Sequence, residues 1–193
     1  MNSPKILAFA GSTRTGSYNQ KLVAAAAEYA RSAGATVTVV NLRDLALPLF
    51  DQDLEDAHGL PAGAKQFKTL LREHDGFLIA SPEYNSSFTP VLKNAIDWAS
   101  RAESKDEPTL AAYRGKAAAL LSASPGALGG LRGLVHLRAL LGNLGVIVLP
   151  DQVAIGTAHE VFDEAGQIKD ERKAAQVANL ARGLAQFVLK IKA

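Results

Sequence analysis

The chain contains no cysteine among its 193 residues. Disulfide bonds, cysteine-ligated zinc and thiol catalysis are therefore excluded, and the composition suits a reducing compartment. Long apolar runs are missing too. Only five apolar residues, Ile6–Ala10, precede Gly11, which is too short for a signal peptide, and no stretch approaches a membrane span. We therefore expect a soluble, cytoplasmic protein that does not insert into a membrane.

A strong charge of either sign is also lacking. The 21 Lys and Arg residues and 19 Asp and Glu residues leave a net charge of +2, and the basic residues are scattered. This balance argues against nucleic acid or a membrane surface as a partner. The four histidines, His58, His74, His136 and His159, have no metal-ligand spacing, so we predict no metal site. The length suits one domain, residues 1–193.

Short apolar runs alternate with stretches in which apolar residues recur every three or four positions. The short runs are continuous, which is typical of strands buried on both faces of a sheet. The predicted strands are Lys5–Ala10, Thr36–Asn41, Gly76–Ala80, Lys116–Ser122 and Gly145–Pro150. The predicted helices are Asn19–Ala33, Ala62–His74, Pro90–Arg101, Leu131–Asn143 and about Asp170–Lys190. This alternation predicts an α/β fold with a parallel sheet between two helical layers.

Two doubly wound strand orders fit the alternation, and they place a ligand in different crevices. The dinucleotide-binding order usually carries G-x-G-x-x-G after its first strand, and the loop 11–16, GSTRTG, lacks that motif. The sequence therefore favours the flavodoxin-like order 2-1-3-4-5. In that order, ligands bind beyond the carboxyl ends of strands one and three.

The loop after the first predicted strand, GSTRTGSYN over residues 11–19, almost spells a nucleotide-triphosphate loop. Its glycines have the G-x-x-x-x-G spacing, but the lysine that such a loop needs next is missing. Four hydroxyls, Arg14 and the start of a helix remain. They suit one dianionic phosphate, because a terminal monophosphate does not require the lysine. The alternative is a polar turn in which Ser17 or Asn19 caps the helix.

Two more loops would open at the same edge of the sheet. Residues 81–90, SPEYNSSFTP, could place the flat ring of Tyr84 beside a planar ligand or could pack it on its neighbours. Residues 122–130, SASPGALGG, are rich in glycine, which lets backbone approach a ligand closely. Part of this loop nearly matches the hydrolase motif G-x-S-x-G. The residue after Ser124 is Pro125, however, which has no N–H for an oxyanion, so a serine hydrolase is disfavoured.

In combination, the segments GSTRTGSYN, PEYNSSFTPVLKNAIDW and SASPGALGG resemble the NADPH-dependent FMN reductase family of flavodoxin-like proteins. This family includes chromate- and quinone-reducing members. Each motif is weak alone, but their order and spacing are specific, and the resemblance runs over most of the chain. It implies FMN as the cofactor and NADPH or NADH as the co-substrate.

The resemblance also implies which residues contact FMN. Those at the phosphate are Ser12, Arg14, Ser17 and Asn19, with Tyr18 alongside. Those that border the isoalloxazine are Pro82, Glu83, Tyr84 and Asn85. Those at its other edge are Ser122, Ala123, Ser124 and Gly126, largely through backbone atoms. Arg101 either binds the phosphates of the nicotinamide nucleotide or, as we favour, caps its helix.

The same resemblance implies a two-step reductase, in which NADPH or NADH gives a hydride to FMN and leaves before a second substrate takes the electrons. No catalytic side chain is required, and we interpret Asp51, Asp53, Glu55 and Asp56 as a solvated loop. Quinone, free flavin, azo dye and chromate all stay open as small-molecule acceptors. The alternatives are a non-enzymatic electron carrier or regulator, or a protein that hands reduced FMN to a partner. Family members imply a homodimer or homotetramer.

Overall fold

A five-stranded parallel sheet lies at the centre of the structure, a computed structural model that describes residues 3–192. In chain order the elements are β1 (Lys5–Ala10), α1 (Tyr18–Ser32), β2 (Thr36–Val40), α2 (Gln52–His58), α3 (Ala62–Glu73), β3 (Gly76–Ala80), α4 (Pro90–Ser100), β4 (Ala117–Ala123), α5 (Leu131–Asn143), β5 (Ile147–Ile155), α6 (Ala158–Val161) and α7 (Glu171–Lys192). The strand order β2-β1-β3-β4-β5 confirms the flavodoxin-like prediction. The single domain over residues 1–193 stays a prediction.

The central strands are buried on both faces, which explains their continuous apolar sequences. Successive side chains of a strand point to opposite faces. In β1, Ile6 and Ala8 belong to the core beneath α1 and α7, whereas Leu7 and Phe9 belong to the core beneath α3, α4 and α5. The carboxyl ends of the strands therefore meet at one edge of a three-layer structure. Within residues 3–192, every helix is too short or too polar to traverse a bilayer.

The last strand is longer than its apolar run predicts. β5 ends at Ile155 instead of Pro150, because its register against β4 shifts and leaves a bulge. Pro150 is tolerated there because β5 is an edge strand. The guanidinium of Arg138 donates to the carbonyl oxygens of Leu149 at 2.7 Å and Pro150 at 3.2 Å. These bonds satisfy carbonyl groups that the irregular pairing would otherwise leave to solvent.

The acidic segment that we interpret as a loop is a helix, α2, so that prediction is wrong. Asp51 is the N-cap of this helix, and its carboxylate accepts a hydrogen bond from the Asp53 N–H at 2.8 Å. Just before α2, the ring of Phe50 packs edge-on against Trp98 at 4.8 Å. The short helix α6 is also absent from the prediction. The other helices begin and end within two residues of their predicted bounds.

Candidate functional site

The loop after β1 presents donors at the start of α1. Ser17 is the N-cap of this helix, and its hydroxyl oxygen accepts from the Asn19 N–H at 3.3 Å. Ser12 is buried, and its hydroxyl oxygen accepts from the Arg14 N–H at 3.3 Å. The first turn of α1 carries no acidic side chain, so its partial positive charge is not offset there. Capping by Ser17 and anion binding are therefore compatible.

Arg14 is the exposed cation of this loop. One of its terminal nitrogens donates to the Gly16 carbonyl oxygen at 3.4 Å, and its guanidinium lies 5.6 Å from the centre of the Tyr18 ring. Within residues 3–192, Arg14 forms no ion pair with a carboxylate. Arg43 supports the loop from behind by donating to the Thr13 carbonyl oxygen. The guanidinium of Arg14 can therefore pair with an anion from outside the chain.

Asn19 connects this loop to the end of β4. The side-chain amide donates to the Ala123 carbonyl oxygen at 2.8 Å and accepts from the Ala123 N–H at 2.9 Å. Asn19 is only 3% exposed, so both bonds lie inside the protein. The polar atoms of the side chain are committed to β4, although the resemblance implied that they hold the phosphate. Since each polar atom of the amide already has one partner in β4, contact between Asn19 and the phosphate stays a prediction.

The loop after β3 folds back as a tight hairpin. Tyr84 and Ser87 exchange two backbone hydrogen bonds, and the residues between them, Asn85 and Ser86, have φ angles of 50° and 66°. Two successive positive φ angles are the signature of a type I′ turn. Tyr84 is 54% exposed, which disfavours the interpretation that its ring packs on its neighbours. The hairpin therefore holds an aromatic ring out over the edge of the sheet.

Glu83 fastens this hairpin to α5. Its carboxylate accepts from Arg132 at 2.6 and 2.9 Å and from the Gly133 N–H at 3.1 Å. It supplies a cap that Gly130, which precedes α5, has no side chain to provide. Burial alone would raise the pKa of Glu83, but the hydrogen bonds from Arg132 and Gly133 outweigh it and lower that pKa. The carboxylate is directed at the start of α5, and contact between Glu83 and the isoalloxazine stays a prediction.

We expect Glu83→Gln to destabilise the protein at neutral pH and to matter less in acid. Because the pKa of Glu83 is lowered by folding, its stabilising effect is complete above the ordinary glutamate pKa of about 4.3. The effect is lost as the pH falls through the lowered value. Urea unfolding of both proteins at a series of pH values should show the difference in unfolding free energy narrowing below about pH 4. The exposed Glu164, changed in the same way, is the control. If the difference in unfolding free energy does not change with pH, then the shape of the Glu83 side chain and not its charge stabilises the protein.

The loop after β4 is folded on itself. The buried Ser122 hydroxyl donates to the Gly129 carbonyl oxygen at 2.6 Å. Gly129 has a φ angle of 63°, and a Cβ there would lie 2.6 Å from the carbonyl carbon of Ile155. Ser124 accepts from the Gly126 N–H at 3.2 Å. The loop is therefore closed by contacts within itself and with the end of β5.

The three loops enclose two adjoining cavities at the carboxyl edge of the sheet. The first, of about 440 Å³, is lined by Ser12, Arg14, Ser17, Tyr18, Asn19, Pro82, Glu83, Tyr84, Ala123, Ser124 and Pro125. The second, of about 590 Å³, is lined by Asn85, Ser86, Gly126, Ala127, Leu128, Gly129, Gly130 and Arg132, and it shares Glu83 and Ser124 with the first. Of the residues assigned to FMN, all but Ser122 therefore line this crevice. Its size suits a cofactor with a second substrate.

Several lining residues of the second cavity are absent from the sequence-based predictions, and Arg132 and Leu128 are the most prominent of them. The signal in the sequence was GGLR at residues 129–132, because Arg132 is the second residue of the helix that begins after the two glycines. Arg101 lies elsewhere. Its guanidinium pairs with Glu55 at 2.8 Å and lines a separate cavity with Lys65. Arg101 is the C-cap residue of α4, and its backbone N–H donates to the Trp98 carbonyl oxygen at 3.3 Å, whereas its side chain bonds to Glu55 and Gln52. Nucleotide binding by Arg101 stays a prediction.

The donors of the first loop fit the phosphate of FMN. A helix start without acidic residues, two serine hydroxyls and one unpaired guanidinium match a single dianionic group. The first cavity extends from these donors to Pro82, Tyr84 and Ser124 of the other two loops.

Comparison with known proteins agrees with this geometry. Residues 4–160 match the NADPH-dependent FMN reductase family. The chain is 36% identical over 190 residues to an NAD(P)H-dependent FMN reductase of Pseudomonas aeruginosa, with 97% of each chain covered. It is 30% identical over 191 residues to a quinone reductase of Escherichia coli, again with 97% of each covered. The solved structure of the flavoenzyme NAD(P)H:(acceptor) oxidoreductase FerB of Paracoccus denitrificans aligns with a TM-score of 0.81 and 26% identity, covering 97% of this chain and 98% of that one.

These similarities extend over nearly the whole length of the chain, and the family match includes all three loops of the crevice. They confirm the oxidoreductase class, FMN as the cofactor and NAD(P)H as the co-substrate. The chain belongs to the NADPH-dependent FMN reductase family.

Proposed function

We propose that the protein is an NAD(P)H:quinone oxidoreductase, which transfers a hydride equivalent from NAD(P)H through FMN to a quinone. NAD(P)H, a proton and a quinone yield NAD(P)⁺ and a hydroquinone, so atoms and electrons balance. The observation that supports this proposal is the pair of adjoining cavities that the three loops share. We prefer quinone over azo dye, chromate and free flavin as the acceptor because two similar proteins are named for quinone reduction. They are the quinone reductase of Escherichia coli and the NAD(P)H:quinone oxidoreductase of Solanum tuberosum.

The first loop would hold the phosphate end of FMN. Ser12 and Ser17 supply hydroxyl groups, the start of α1 supplies backbone N–H groups, and Arg14 supplies charge. Asn19 keeps α1 in place against Ala123, so these donors face the first cavity in a constant arrangement. Prearranged donors lose little freedom when the phosphate arrives.

The other two loops would border the ring. The flavin, when bound, supplies the chemistry of accepting and releasing two electrons. The pair formed by Glu83 and Arg132 ties the hairpin to α5 and so sets the distance between the two walls. Tyr84 stands exposed at the mouth, where it can flank the nicotinamide or the quinone. Leu128, which is also exposed, adds an apolar contact beside the second cavity.

One crevice for both substrates predicts that the donor and the acceptor bind in turn. The test is to record the visible spectrum of the FMN-loaded protein and add NADPH or NADH under argon, which should bleach the flavin. Initial rates with NADPH and a quinone should then give parallel double-reciprocal lines. High quinone should inhibit by competing with NADPH.

Intersecting lines would contradict the shared crevice, since both substrates would then be bound together. A flavin that neither nucleotide bleaches would favour the carrier or regulator alternative over an enzyme. Chromate, an azo dye and free flavin, assayed beside the quinone, rank the acceptors by kcat/KM. The homodimer or homotetramer and the cytoplasmic location stay predictions, which sedimentation and fractionation can test.

A further inference from the structure

A segment beyond the family match reaches back to the phosphate loop. Residues 162–168 form a small turn closed by backbone pairing between Phe162 and Ile168. This turn lies against α1, where the Lys21 ammonium donates to the Asp163 carbonyl oxygen at 3.4 Å. The matched region ends at residue 160. The turn therefore belongs to the part of the chain that the family match leaves out.

An aromatic contact connects this turn to the arginine of the phosphate loop. The ring of Phe162 stacks on that of Tyr18, with centres 6.1 Å apart and planes 16° apart. The Tyr18 ring in turn lies 5.6 Å from the guanidinium of Arg14. Phe162 is only 6% exposed, so it is held by the core, whereas Arg14 is exposed. A buried residue thus supports an exposed cation through one intervening ring.

We propose that Phe162 is a positioning residue for recognition of the FMN phosphate. Phe162 holds the Tyr18 ring, and that ring limits the orientations that the Arg14 guanidinium samples before the ligand binds. An exposed arginine without such support loses more side-chain freedom when it pairs with a phosphate. The inference rests on the proposed placement of the phosphate at this loop.

The test measures the preference for FMN over riboflavin, which lacks the phosphate. Dissociation constants of both ligands are measured by flavin fluorescence for the wild type and for Phe162→Leu, Phe162→Tyr and Arg14→Ala. Phe162→Leu keeps an apolar side chain without a ring and should reduce the preference about 2- to 10-fold, the usual range for an aromatic pair. Phe162→Tyr keeps the ring and should retain the preference. In the Arg14→Ala background, Phe162→Leu should have no further effect on it.

Equal weakening of FMN and riboflavin by Phe162→Leu would overturn the inference, because the residue would then act only through folding. The inference would also be overturned if Phe162→Leu still changed the preference for FMN over riboflavin in the Arg14→Ala background. If Phe162→Leu does not fold, Tyr18→Leu removes the same stacked pair from its more exposed side. An Arg14→Ala protein with an unchanged preference would instead refute the phosphate placement itself, which separates the two failures.

Discussion

Replacing Arg14 with alanine should weaken FMN binding about 10- to 150-fold and leave riboflavin binding nearly unchanged. The reason is that the guanidinium is exposed beside the start of α1 and has no carboxylate partner within residues 3–192. A hydrogen bond to a charged group contributes about 1.5–3 kcal/mol. The FMN affinity of Arg14→Lys should lie between those of the wild type and Arg14→Ala, because lysine keeps the charge but lacks the planar guanidinium. Titration of the apoprotein with each ligand measures both constants.

Arg182→Ala on α7 is the matched control for Arg14→Ala. It removes the same charge from an exposed arginine that bonds only to Asn179 among the residues that the structure describes. It should leave both affinities unchanged. If Arg14→Ala weakens FMN and riboflavin equally, the arginine acts through folding or through the ring, and the phosphate placement is wrong.

Asn19→Leu should weaken FMN and riboflavin binding alike and should lower the unfolding free energy by about 2–6 kcal/mol. The substitution leaves both the N–H and the carbonyl group of Ala123 buried without a partner, and each such group costs about 1–3 kcal/mol. It also frees the start of α1 from the end of β4, so the walls of the crevice lose their relative position. Urea unfolding and the two ligand titrations measure these effects.

Asn19→Asp refines the same test. A carboxylate can accept from the Ala123 N–H, but it repels the Ala123 carbonyl oxygen, so this variant should also be destabilised at neutral pH. Asn179→Ala on the surface of α7 is the control and should change little. If Asn19→Leu weakens FMN while riboflavin binding and stability stay at wild-type values, then Asn19 contacts the phosphate directly, as the family resemblance implied.

Much of the fold could be predicted because its signals are local. The continuous apolar runs of β1, β3 and β4 reflect burial on both faces, and the three- to four-residue periodicity marks the helices between them. The end of β5 and the helix α2 could not be predicted in this way, because most of their residues are only partly buried or exposed. β5 runs on through Pro150 because an edge strand tolerates a bulge, and α2 has no buried residue to give it an apolar stripe.

The sequence by itself determined the α/β class, the strand order and the three loops that line the crevice. It also excluded a triphosphate loop through one missing lysine. Only the tertiary structure decided how the side chains in those loops are used. Asn19 bonds to Ala123, 104 residues away, and Glu83 bonds to Gly133, 50 residues away. The guanidinium of Arg14, in contrast, bonds only to Gly16 of its own loop within residues 3–192. The physical reason is that periodicity and turn chemistry depend on neighbours in sequence. The partner of a polar side chain depends instead on which strands the sheet brings side by side.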